Sequence, residues 1–397
     1  MGIYAQHGYG KSDRVEQGLR LGVLDGVILS PKDEKPDSLE CFAQSIRHGY
    51  PNATVLLDPQ FYVSTITPAR ERYLVEYDSY YRSSLSRKDF ISPITISAYV
   101  KNTIDYQMSL PLTHLVSPSI MFDDFQDPWS QTCLSLAESA CHYHSTLGNP
   151  RPLMLSVVFS EVALASAHSL GQFLDILSTF EATGFYLIVR RTGLQYQPQM
   201  EPNYLANLLY LIYVLAEINK YEVVMGYTDI LGLLFHSVGA KAIGCGWFNS
   251  LRQFSLASFQ PSSGGGKARA RYTSIPLLNS ILVVPELQSA YQAGLIDSVL
   301  TGTSLDVPLR SNPANAAWSA EMSTLHHWAA LHETVTRLLP EGGTSERLAS
   351  ISKRIENARD VYKRLRRHGS VFEPASGPGH LEQWQRAIDD FVKCSGV

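Results

Sequence analysis

The feature that most constrains this chain is a rhythm. Short apolar runs recur, each followed by a polar turn and then a stretch with helical spacing, which is the pattern of βα units and a parallel sheet. There are eight such runs: Ile3 to His7, Gly26 to Ser30, Thr54 to Asp58, His114 to Ser117, Leu153 to Phe159, Phe185 to Val189, Glu222 to Met225 and Lys241 to Cys245. Between them lie helical stretches. Asp37 to His48 carries Asp37 at an N-cap position and Glu40 at a capping-box position, and 204–219 carries a stripe of Leu205, Leu208, Leu209, Ile212 and Leu215. Pro128 to Ser145, Ser169 to Ala182 and Asp229 to Val238 have the same spacing. Eight strands with right-handed crossovers favour an α/β fold of the (β/α)8 TIM-barrel type, with an open doubly wound sheet as the alternative.

Two irregularities set the domain boundaries. Residues 61–113, between the third and fourth runs, form an insertion longer than ordinary βα connections and rich in tyrosine (Tyr73, Tyr77, Tyr80, Tyr81). After the eighth run, residues 260–273 read as a basic linker built around Ser262-Ser263-Gly264-Gly265-Gly266. The barrel is therefore expected over 1–259 and a mainly α-helical C-terminal region over 274–397. In that region the stretch from Thr344 to His368 places Leu348, Ile351, Ile355, Tyr362 and Leu365 on one face and most of its arginines off it.

Composition excludes several classes. With 45% apolar and 18% charged residues over 397 positions the chain buries a sizeable core, and no apolar run approaches the roughly 18 residues of a membrane helix. The expectation is a cytoplasmic protein with no membrane partner. Five cysteines without a C-x-x-C pair argue against a zinc knuckle, a cluster or a disulfide framework, so no metal and no cofactor is expected. A net charge of −4 does not mark the whole chain as a nucleic-acid binder. Locally the balance differs: Lys267, Arg269 and Arg271 follow the glycine run, and 353–367 holds seven basic against two acidic residues, including Lys363, Arg366 and Arg367.

In a barrel the reacting groups sit at the C-terminal ends of the strands. That rule selects Asp58, Asp123, Glu161 and Asp229 as candidate catalytic carboxylates. Asp58 ends an aliphatic strand, so partial desolvation raises its pKa towards acid–base use, the alternative being a loop hydrogen bond. Asp123 and Asp124 are either a cation site or negative charge favouring the helix from Pro128. Arg190 and Arg191 close the sixth run and want an anion, either a substrate phosphate or the carboxylates Glu161 and Asp58. Gly226, Thr228, Gly244 and Gly246 match the place where many barrels grip a phosphate through backbone amides. His142, His144, His326, His327 and His332 lack partners at ligand spacing and read as solvated helix positions.

Several segments together resemble the tRNA-guanine transglycosylase superfamily, including its relatives that insert deazaguanine bases into DNA. They are Asp58 with Phe61 and Val63; Ser92-Pro93, Gln107 and Met121-Phe122-Asp123-Asp124; and Met225-Gly226-Tyr227-Thr228-Asp229 with Gly239-Ala240. The resemblance covers 54–248 with long gaps, and it implies base exchange, with Asp58 and Asp123 as base-recognition or acid–base residues. It departs where the family carries Phe-Asp-Cys with its nucleophilic aspartate, for this chain has Ile243-Gly244-Cys245. The family's zinc ligands are absent. The nucleophile has then moved, Asp229 being the replacement, or been lost.

Two functions compete. One is an enzyme acting on a nucleobase in DNA or RNA or on a nucleotide-bearing substrate, with the tyrosine-rich insertion as a stacking surface. The other is a catalytically silent barrel serving as a scaffold or nucleic-acid recognition subunit, meeting partner proteins through the C-terminal helices and the 61–113 insertion.

Overall fold

The computed structural model describes residues 1–10, 13–148, 150–192, 198–260, 269–338 and 342–397. In chain order the elements are β1 (Gly2–Gln6), α1 (Arg14–Arg20), β2 (Gly26–Leu29), α2 (Pro36–Gly49), β3 (Thr54–Leu57), α3 (Pro93–Ser109), β4 (Leu115–Val116), β5 (Met121–Phe122), α4 (Pro128–Thr146), β6 (Leu153–Ser160), α5 (Ala167–Leu177), β7 (Gly184–Arg190), α6 (Pro202–Tyr213), β8 (Glu222–Met225), α7 (Gly232–Ser237) and β9 (Ala242–Gly246). These are followed by the hairpin β10 (Arg271–Ser274) and β11 (Asn279–Leu282), then α8 (Gln288–Gln292), α9 (Val307–Ser311), α10 (Ala320–Glu333), α11 (Thr344–Arg367) and α12 (Gly379–Ser395). Short 3₁₀ and π turns join them.

The first nine strands are parallel, in the order β3-β2-β1-β9-β8-β7-β6-β4, with β5 also on β6. Because β4 pairs at Leu153 and β5 at Val158 of the same strand, the two are halves of one interrupted barrel stave. The seam between β3 and β4 is bridged by Thr113: its N–H donates to the Val55 carbonyl, and its hydroxyl accepts from the Val55 N–H, both at 2.9 Å. The result is a nearly closed (β/α)8 barrel. Its interior is packed, with Tyr4, Gln6, Ile28, Asp58 and Tyr186 buried. Gly244 suits that packing, since a Cβ on it would lie 2.7 Å from both Gln6 Oε1 and Ile28 Cδ1 and would force those side-chain ends to shift.

Three sequence expectations change. Helix α2 starts at Pro36 with Lys35 at the cap, so Asp37 lies in the first turn; proline's fixed φ suits it to open a helix. Residues 261–268 of the expected linker lie outside the described residues, and the linker's end, from Arg271, is already strand. Most consequentially, the barrel's outer ring is not complete by residue 259. The outward face of β9 is covered by α10, which packs on β1 and α1. Trp328, fully buried, donates its indole N–H to the Cys245 carbonyl at 2.9 Å. Helices α11 and α12 lie outside that ring, α12 on α6 and α11 on α7, with the apolar face of α11 buried. No helix among the described residues is long and apolar enough to cross a membrane.

Candidate functional site

The strand ladder carries Asp58 to the centre of the mouth: its N–H still pairs with the Leu29 carbonyl at 3.0 Å. Its carboxylate is fully buried and accepts from the Tyr62 hydroxyl (2.9 Å), the Gln60 N–H (3.1 Å) and the Tyr186 and Tyr227 hydroxyls (3.4 Å each). Burial pushes the carboxyl up to about 6, even though these four donors pull it down. Among the described residues it has no cationic partner. Burial also raises the phenols of Tyr62, Tyr186 and Tyr227 well above their ordinary value, so they act as donors.

Backbone strain surrounds this group. Gln60 (φ 52°) and Tyr227 (φ 51°), at the ends of β3 and β8, both hold the left-handed conformation that side-chain-bearing residues avoid. Their side chains meet, Gln60 Nε2 donating to the Tyr227 hydroxyl at 3.3 Å and to Ser30 Oγ at 2.9 Å. Phe254 and Phe259 cover the assembly, with ring centroids 5.3 and 5.8 Å from Tyr62. Lys32 lies alongside, its pKa lowered by burial, with Nζ donating to the Ser258 carbonyl at 3.0 Å.

The other candidate carboxylates have different surroundings. Asp123, with a side chain 58% exposed, pairs with Arg190 at 2.9 Å, and Arg190 also donates to Ser160 Oγ at 3.0 Å. Glu161 is buried against Arg191 at 2.9 Å and accepts from the Thr192 N–H and hydroxyl. The two adjacent arginines thus face different partners, as strand alternation requires, and neither bonds to Asp58. Asp229, part-buried, accepts from the Leu231 N–H at 2.9 Å, and burial raises its pKa despite the nearby charges of Arg191 and Arg252. It borders two adjoining cavities of about 20 and 30 Å³.

The glycine turns are engaged internally. The Gly226 N–H donates to the Leu187 carbonyl at 2.8 Å, and the Thr228 N–H to the Gly244 carbonyl at 2.7 Å. A Cβ on Gly226 would meet the Tyr186 hydroxyl at 2.7 Å, and one on Gly246 the Leu251 side chain. Of the basic candidates, Arg269 and Arg271 both pair with Glu373 and Lys363 with Asp360, while Arg366 and Arg367 are exposed; Lys267 lies outside the described residues. Three of the four tyrosines singled out in the insertion turn inward: Tyr77, Tyr80 and Tyr81 are buried, with hydroxyls on the Glu34 and Pro59 carbonyls and on Glu71, while Tyr73 stays half-buried beside Lys35 and Arg72. The three buried rings line a core rather than a stacking surface.

Two histidines read as solvated are buried instead. His326 pairs with Asp306 at 2.9 Å, and His327 bridges Cys245 Sγ at 3.0 Å and Thr273 Oγ1 at 2.7 Å. Helical spacing alone does not reveal them, because their partners lie far away in sequence. Arg252 was likewise missed. It belongs to no motif, and only its place just beyond the last barrel strand could have flagged it. No protein-family model matches the chain, and no curated protein is found similar to it.

Proposed function

We propose that this chain is a transglycosylase-like barrel acting on a nucleobase, in nucleic acid or in a nucleotide-bearing substrate, with Asp58 as its proton-handling group. The observation that carries the reading is Asp58: a carboxyl without solvent contact, ringed by three phenols and raised to about 6. A group titrating near neutrality both gives and takes protons. Strained residues such as Gln60 and Tyr227 cluster where a fold serves a function rather than stability alone.

In this chemistry a carboxylate oxygen, assigned to Asp229, bonds to the sugar C1′ as the glycosidic C–N bond breaks. The bonding pair leaves with the base nitrogen, which takes the proton of Asp58. The incoming base then returns a proton to Asp58 as its nitrogen displaces the carboxylate. The target base must leave its stack to reach the mouth, and Tyr62, Phe254 and Phe259 offer it aromatic faces once they part. The test is incorporation of radiolabelled guanine into tRNA or DNA. Asp58→Asn should lose at least about a hundredfold in rate while keeping the wild-type circular dichroism. Undiminished incorporation by that variant overturns the reading.

A second reading is favoured by Gly244. It stands where the resemblance expects the nucleophilic aspartate, and Gln6 and Ile28 fill the space a side chain would need. On this reading the barrel is catalytically silent and works, in the cytoplasm, as a scaffold or nucleic-acid recognition subunit. The exposed Lys363, Arg366 and Arg367 or the 61–113 insertion then meet nucleic acid or partner proteins. Salt-dependent mobility shifts that persist in Asp58→Asn but vanish when those three basic residues become alanine would select it.

A further inference from the structure

We infer that Arg252 is the anchor of an oxyanion site between the barrel rim and the β10–β11 hairpin, receiving two oxygens of a phosphate group. Arg252 follows β9 and is nine-tenths buried. Its Nε donates to the Gly246 carbonyl at 2.9 Å, and among the described residues this is its one hydrogen bond. A guanidinium carries five N–H donors and stays charged in proteins. None of the Arg252 nitrogens is both sealed from solvent and without a partner, so its terminal N–H groups, which bond to no described residue, open onto the cavity it lines and are free for an anion.

The guanidinium borders the cavity of about 30 Å³, which Asp229, Arg271, Asn279, Ser280 and His327 also line. Each charged neighbour can be placed. Asp229 makes no ion pair with Arg252 among the described residues, and one of its oxygens is taken by the Leu231 N–H. Arg271 is held by the Ser280 carbonyl, Ser376 Oγ and Glu373, and adds a second positive charge to the wall. His327 contributes none, since burial drives its pKa well below the usual range. Glu373 offsets Arg271 from outside the cavity, so on the cavity wall itself Arg252 and Arg271 face Asp229, whose own ionisation burial opposes.

The room matches the ligand's polar edge. About 30 Å³ accommodates roughly two water-sized groups, the number of oxygens a guanidinium binds side by side. The positions the sequence offered for phosphate are less free: Arg190 is paired with Asp123 and the Gly226 amide with Leu187. That the phosphate belongs to a nucleotide rests on the function proposed above; the preference for an oxyanion rests on Arg252 alone.

Titration calorimetry of the full chain with inorganic phosphate, guanosine 5′-monophosphate and guanosine tests this. Phosphate should bind, and the monophosphate should bind more tightly than the nucleoside. Arg252→Gln should weaken phosphate at least about tenfold and erase the nucleotide's advantage over the nucleoside. Asp229→Asn, which removes the one negative wall, should tighten phosphate a few-fold, and it decides the matter if Arg252→Gln does not fold. Absence of phosphate binding to the wild type, equal affinity in Arg252→Gln, or no tightening in Asp229→Asn overturns the inference. Phosphate bound through Arg252 without any base incorporation sinks the catalytic reading alone. Incorporation without phosphate binding sinks this one alone.

Discussion

The two rims of the barrel treat their carboxyls in opposite ways. At the N-terminal ends of the strands, Glu222 sits between His114 (3.6 Å) and Lys241; the histidine first, and then the lysine, hold it down at about 2. Asp25 on the same rim accepts the Ile3 N–H at 2.8 Å and faces His332 at 3.7 Å; these outweigh its burial and lower its pKa. At the opposite rim Asp58 and Asp229 are raised, because burial is not repaid by a cation at contact distance. One end of the cylinder spends its charges on holding the strands together. The other holds carboxyls in a state that costs stability, which is the division expected of a barrel whose chemistry sits at the C-terminal ends of its strands.

Compensated carboxyls occur at the mouth too, in Asp33–Arg72, Asp123–Arg190 and Glu161–Arg191, and removing the last of these, buried on both sides, is the strongest way to break the contrast. Glu161→Ala leaves Arg191 buried without its partner and should lose about 3–5 kcal/mol in urea unfolding. A loss under about 1 kcal/mol would mean that the mouth tolerates bare charge of either sign, and the contrast between rims would dissolve.

Asp58→Asn sharpens it. A carboxyl whose pKa is higher in the folded chain (about 6) than its ordinary 3.8 binds its proton more tightly when folded. The fold is therefore favoured below pH 4 and loses stability as the pH rises through 6, by about 3 kcal/mol in total. The variant should lack this decline and be the more stable protein at pH 7. A melting temperature lower than wild type at pH 7 and equal to it at pH 4 would contradict the assignment.

Glu222→Gln probes the other rim with the smallest effect. Its folded pKa (about 2) lies below the ordinary 4.5, so its contribution is present above 4.5 and fades as the pH falls towards 2. Because the side chain is partly exposed and screened, the expected cost at pH 7 is only about 1 kcal/mol, vanishing near pH 2. A cost that persists at pH 2 would trace to packing instead.

The barrel was legible because parallel strands buried on both faces must be nearly continuous apolar runs, and all eight runs lie in it. The importance of Asp58 was legible for the same reason, as a carboxylate ending such a run. Its cage was not: Tyr62 is local, but Tyr186 and Tyr227 arrive from strands 128 and 169 residues away. The tyrosines of the insertion looked like a surface because composition says nothing of the direction in which a ring points. Arg252 and the contact between Cys245 and His327 were not legible for a related reason, their surroundings being assembled by the hairpin and α10, which follow the glycine-rich stretch.

That late helix has a consequence for how the chain comes to be. His327 and Cys245 are 82 residues apart, and Trp328 rests within 3.1 Å of where a side chain on Gly18 would begin. During synthesis, then, the first and last staves emerge and wait, with an oily flank open to solvent, until more than 300 residues have left the ribosome. Contacts of such long range are slow to form, and exposed apolar surface in the interval invites aggregation. Anything that shields the nascent chain over that interval would therefore favour assembly of this architecture.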